Sequence, residues 1–120
     1  ALPESAAVGE GERLVLAGLS ESAAFRTNLG LVNLGDDPIT VTAELHRGDG
    51  GLAGTLTRIV PARTLVITSR AFAAVGASEV ASGYAVVSTN TASARLLAWA
   101  SVVDNGSGDP TTVPVVIVTR

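Results

Sequence analysis

The chain carries few groups able to do covalent chemistry. It has one histidine, His46, and no cysteine. That composition excludes a thiolate nucleophile, a thiolate zinc site and a cage of several histidines. A serine hydrolase needs a nucleophile, a base and an orienting acid, and His46 is the one imidazole on offer. Gly18-Leu19-Ser20-Glu21-Ser22 comes nearest to a Gly-x-Ser-x-Gly elbow, but the final glycine is missing and no helical pattern follows. His46 reads instead as an exposed residue on the polar side of a strand. Asp36 and Asp37 are a carboxylate pair on paper, yet the side chains of adjacent turn residues diverge, so they read as Asx-turn formers. No catalytic residue is expected.

The polar run Asp104-Asn105-Gly106-Ser107-Gly108-Asp109-Pro110 is the best ligand candidate. Asp104, Asn105 and Asp109, together with backbone carbonyls, are the oxygen donors a hard cation such as Ca²⁺ takes. The alternating acids and closing Glu of an EF-hand are absent. The same residues also spell a hairpin loop, with Asn-Gly supplying positive φ and Asp-Pro ending the turn. No cofactor is expected. Asn105-Gly106-Ser107 matches the N-glycosylation acceptor pattern. A sugar-binding platform needs aromatics exposed on one face. The chain has Phe25, Phe72, Tyr84 and Trp99, and Trp99, between Ala98 and Ala100, reads as a core residue. Tyr84 follows Gly83 at a strand start, where a corner hydrogen bond is expected. Arg26, Arg58 and Arg95 are expected on an exposed sheet face.

These residues must be held by strands, because the apolar period is two. In Ile39-Thr40-Val41-Thr42-Ala43-Glu44-Leu45-His46 the apolar residues share one face and the polar residues the other, the pattern of a half-buried antiparallel strand. Gly35-Asp36-Asp37-Pro38 before it and Gly48-Asp49-Gly50-Gly51 after it are turn chemistry, so residues 52–60 fold back as a hairpin partner. Further strands are expected at 13–17, 25–34, 64–68, 83–89, 94–103 and 111–119, the last an edge strand because it contains Pro114. Residues 69–76, Ser-led, Ala-rich and Gly-stopped, predict one or two helical turns. The expected fold is all-β: an antiparallel, immunoglobulin-like β-sandwich of 7–8 strands with one short helical turn. Residues 1–12 are expected to be a linker or arm and 13–120 a single domain. Ile39, Val41, Ala43, Leu45, Leu29, Leu31, Val86, Leu97 and Trp99 are the expected core.

At 120 residues and 12.0 kDa the chain has room for one core. It is 47% hydrophobic and 16% charged, with a net charge of −3 and arginine as its sole basic side chain besides His46, which rules against a nucleic-acid footprint. The longest apolar run, Val113 to Val118, is far short of a helical membrane span. The absence of Met, including at position 1, is expected of a processed or trimmed chain. No charged segment precedes an apolar one in the manner of a signal peptide.

The stretches Phe25-Arg26-Thr27-Asn28-Leu29-Gly30-Leu31-Val32-Asn33-Leu34-Gly35-Asp36 and Ala100-Ser101-Val102-Val103-Asp104-Asn105-Gly106-Ser107-Gly108-Asp109-Pro110-Thr111 carry a resemblance. So do Phe72-Ala73-Ala74-Val75-Gly76 and Gly83-Tyr84-Ala85-Val86-Val87. Over about residues 13–116 the chain resembles immunoglobulin-like modules found, often in tandem, at the C-terminal ends of large exported bacterial proteins. The resemblance implies an extracellular or cell-surface setting and no catalytic residue. The expected function is a non-enzymatic structural, adhesion or spacer module. Its partners would be neighbouring domains of a parent chain or identical subunits. The alternative is a carbohydrate- or Ca²⁺-binding accessory module using the 104–109 loop. The apolar terminal strand is expected either to complete its own sandwich, with Val115 and Ile117 inward, or to pair with a neighbouring subunit by strand addition.

Overall fold

The structure is a computed structural model and describes residues 8–77, 79–92, 94–113 and 115–118. Nine strands are present among them: β1 (Arg13–Glu21), β2 (Phe25–Asn33), β3 (Ile39–His46), β4 (Leu52–Val60), β5 (Leu65–Thr68), β6 (Val80–Thr89), β7 (Leu96–Asp104), β8 (Pro110–Thr112) and β9 (Val115–Val118). A 3₁₀ turn at Ala73–Val75 separates β5 from β6. The strands form a five-stranded sheet, order β4-β3-β6-β1-β9, and a four-stranded sheet, order β5-β2-β7-β8. Pairing is antiparallel throughout. Only the β3–β4 and β7–β8 links stay within one sheet. Every other connection crosses to the opposite sheet, which lays the two apolar faces against each other. The expected all-β sandwich is present.

The core lies between the sheets. Leu14, Leu16 and Leu19 of β1 meet Leu29 and Leu31 of β2, and Ile39, Val41, Ala43 and Leu45 of β3 join them, all buried. Burial of each such large side chain stabilises the fold by about 1.5–3 kcal/mol before conformational entropy is subtracted. Two expected core residues, Val86 and Trp99, belong elsewhere, and Leu97 is buried as expected but lies outside the inter-sheet cluster. Val86 is half-buried, and its pairing with Val15 and Glu44 sets it on the outer face of the five-stranded sheet. Leu97 and Trp99 point to the outer face of the four-stranded sheet, while Leu96, Ala98 and Ala100 of β7 point inward. With leucines filling the core from both sheets, the centre of β7 has space inside only for alanine. Because β7 is apolar on both faces, its alternation gave no means of choosing a side.

The C-terminal segment also differs from the single expected strand. β8 pairs with β7, and β9 pairs with β1 in the other sheet, Arg13 opposite Val118 and Leu16 opposite Val115. The terminal strand thus completes its own sandwich. Pro114 and the side chains of Val115 and Ile117 lie outside the described residues. So does the first part of the expected arm, residues 1–7. The rest of that arm is docked: Val8 is buried and exchanges both backbone hydrogen bonds with Leu96 at 2.8 Å.

The expected helical turn is shorter than its sequence pattern. Ser69 does not cap it; its hydroxyl donates to Asn28 Oδ1. Arg70, at φ 53°, reverses the chain first, so only Ala73–Val75 is helical, and Gly76 ends it at φ 85°.

Candidate functional site

The strand directions divide the loops between two ends. The first residue of β1 and the last of β9 pair with each other, so the chain enters and leaves the sandwich at one end. The 34–38, 61–64 and 90–95 connections share that end. The opposite, distal end is built from residues 22–24, 47–51, the 3₁₀ turn and the 105–109 loop.

The polar side chains of the distal end are used to lace its loops together. Asp104 Oδ1 accepts from Gly106 N at 2.8 Å and Ser107 N at 3.3 Å, an Asx turn closing the hairpin. Asn105 donates through Nδ2 to the Ala23 carbonyl, and its Oδ1 accepts from Arg26 at 2.7 Å. Its backbone N–H donates to the Ala24 carbonyl. The loop after β7 is therefore tied to the β1–β2 loop by two bonds and to β2 by a third. The backbone N–H of Asp109 donates to Ser107 Oγ at 3.2 Å. Of the three cation candidates, Asp104 is turned to backbone N–H groups and Asn105 to a carbonyl and a guanidinium. Among the described residues, no three acid, His or Cys side chains come together as a metal site.

Glu21, unremarked in the sequence, is only 3% exposed. Its Oε1 accepts from Phe72 N at 3.1 Å and Thr27 N at 3.4 Å, and its Oε2 from Ala73 N at 2.7 Å. A carboxylate on strand β1 thus caps the 3₁₀ turn that Ser69 leaves uncapped. At the other end Asn33, fully buried, plays a matching part. Its Nδ2 donates toward the carbonyls of Asp37, Val60 and Pro61, and its Oδ1 accepts from Gly35 N.

His46 lies on the outer face of the five-stranded sheet. Its ring stacks on Tyr84 with centroids 4.6 Å apart and planes 5° from parallel. Nε2 is 3.6 Å from Glu44 Oε1, and Nδ1 is 3.3 Å from the Gly50 carbonyl. Tyr84 stacks there instead of making the expected corner bond. Asp36 pairs with Arg63, at 2.8 Å. The three arginines do not share a face. Arg26 is on the four-stranded sheet, and Arg95 just precedes β7. Arg58 is on the edge strand β4, where it donates to the carbonyl of Thr57.

The aromatics form no row. Phe72 is in the core, Tyr84 and Trp99 are on opposite outer faces, and Phe25 is at the distal end. Trp99 lies flat over Gly30, where an added Cβ would stand 2.1 Å from its Cε2. Phe25 is 40% exposed at the first position of β2. It lines two clefts at once. One, about 420 Å³, runs between β1 and β8, with Asp104, Ser107, Asp109 and Thr111 among its walls. The other, about 410 Å³, includes Ser20, Ser22 and Glu79. Sequence reasoning picked out the 104–109 loop but not Phe25, because an aromatic at a strand start looks the same whether it caps the core or stands in solvent.

No protein-family model matches the chain, and no curated protein matches it. Among solved structures it is similar to the crystal structure of Thermotoga maritima 1070, with a TM-score of 0.66 over 92% of this chain and 93% of that one. The two sequences are 12% identical, so the likeness is one of fold.

Proposed function

We propose that this is a non-enzymatic, extracellular module of immunoglobulin-like architecture, structural in class, which displays its distal end on a partner surface. One observation carries the reading: Arg13 is paired with Val118, so polypeptide continued on either side departs from the same end. A module joined in that way stands out from its parent chain. Adhesion suits this geometry better than in-line spacing, which calls for termini at opposite ends. The placement of the polar groups supports the non-enzymatic reading, since Glu21, Asn33, Asp104 and Asn105 are engaged in holding backbone and His46 in stacking on Tyr84. The edges of the five-stranded sheet open to strand pairing are β4 and the outer side of β9.

The test is insertion of the full chain into a surface loop of a well-folded carrier protein. Insertion succeeds where the two ends of the guest lie close together. Both carrier and guest are expected to melt near the temperatures of the separate proteins. Unfolding of either one on insertion would contradict a same-end module.

A further inference from the structure

We infer that the distal end binds a neutral carbohydrate across Phe25. The inference goes beyond the display reading, because a free domain would bind as well as a tethered one. The aromatics build no extended platform, but the single residue Phe25, left 40% exposed between two clefts, offers an apolar surface against which the C–H side of one pyranose can pack. The groups around it are of the type that hold sugar hydroxyls. Asp109, Glu79 and the second oxygen of Asp104 are acceptors, Ser22 and Ser107, whose Oγ atoms accept from Ala24 N and Asp109 N, can donate, and Thr111 can both donate and accept. Neither cleft has an arginine or histidine in its lining. That selects against uronic, sialic or phosphorylated sugars, which would bring a negative charge to three carboxylates, while the nearest guanidinium groups, Arg26 and Arg47, are engaged on Asn105 and on the Glu79 carbonyl.

The site is also held in place before any ligand arrives. Phe25 is paired in register with Asp104 across β2 and β7, and its carbonyl accepts from Ser22 N at 2.8 Å. The Asn105 side chain ties the 104–109 loop to Ala23, and Arg26 secures Asn105 in turn. The wall of the first cleft is therefore tied down before binding, which lowers the entropic cost of association. A cleft of about 420 Å³ lies within the range of small-molecule sites.

The experiment is an amide-detected NMR titration of the isotope-labelled full chain with maltose, cellobiose and N,N′-diacetylchitobiose in turn. Glucuronate and choline are run as charged contrasts. At least one neutral disaccharide is expected to shift residues 20–26 and 104–112 in a saturable manner, with glucuronate causing none of these shifts. Phe25→Ala is expected to weaken that binding by about tenfold or more, whereas Phe25→Tyr retains it. If Phe25→Ala fails to fold, Asp109→Lys, at an exposed loop side chain, is expected to weaken it instead. Absence of shifts with all three disaccharides would overturn the inference. So would shifts located elsewhere, shifts unchanged in both weakening variants, or shifts at these residues produced by choline alone.

Discussion

Asn33 illustrates how a short polar side chain can hold three segments at once. Its carboxamide faces the carbonyls of Asp37, Val60 and Pro61 and the N–H of Gly35, fixing the end of β2 to the turn before β3 and the end of β4. Leaving buried groups unpaired costs about 1–3 kcal/mol each. Asn33→Ala is therefore expected to destabilise the protein by at least about 2 kcal/mol, measured by denaturant unfolding. Gly30 is a second such position. A methyl there meets the Trp99 ring, so Gly30→Ala must push the indole off the sheet, at about 1–3 kcal/mol. Trp99 is the sole tryptophan, and its emission should shift to longer wavelength in this variant as the ring enters solvent. An unchanged spectrum with unchanged stability would contradict the packing of Trp99 on Gly30.

At the scale of elements, the strands were legible where one face is polar and opaque where both are apolar. The alternation of residues 39–46 is that of β3, and the flanking turns are where their Asp, Gly and Pro residues put them. β7 offers no such contrast, so its pattern does not tell that Trp99 and the buried Leu97 take the outer side. The split of the C-terminal run into β8 and β9 depends on which strand edges are free, a tertiary fact that local pattern does not contain. Of the distal site, the 104–109 loop was legible from its turn chemistry. Phe25 and Glu21 were not, since their roles depend on partners many positions away. The Glu21 carboxylate links β1 to the 3₁₀ turn through Phe72 and Ala73. Glu21→Gln replaces one acceptor oxygen with an amide that faces an N–H, and about 1–3 kcal/mol of stability is expected to be lost. Thermal melting checks this. The β9–β1 pairing makes a further prediction. Truncation after Thr112 removes β9 and the buried Val113, so a markedly lowered melting temperature or an unfolded chain is expected. A folded monomer with unchanged melting would mean that β9 contributes nothing to the sandwich.

On the display reading, the whole molecule is held at one end of the sandwich and presents the other. β1 and β9 are neighbours with Arg13 opposite Val118. Tension applied through the two chain ends therefore first undoes the Val8–Leu96 bridge and then opens the β1–β9 hydrogen bonds one after another from the Arg13–Val118 pair. An antiparallel ladder has its bonds perpendicular to the strands, and such bonds resist together only when the strands are slid lengthwise past each other. A load-bearing spacer would be loaded in the second way. The chain has no cysteine, so attachment points can be introduced singly without interference. The most direct measurement is single-molecule unfolding under force in two geometries. One pulls through the two chain ends, and the other through the C-terminal end and a cysteine at the distal loop, Asp49→Cys. Unfolding at clearly lower force through the chain ends is the predicted result. Equal or greater resistance through the chain ends would contradict the display reading and favour an in-line spacer.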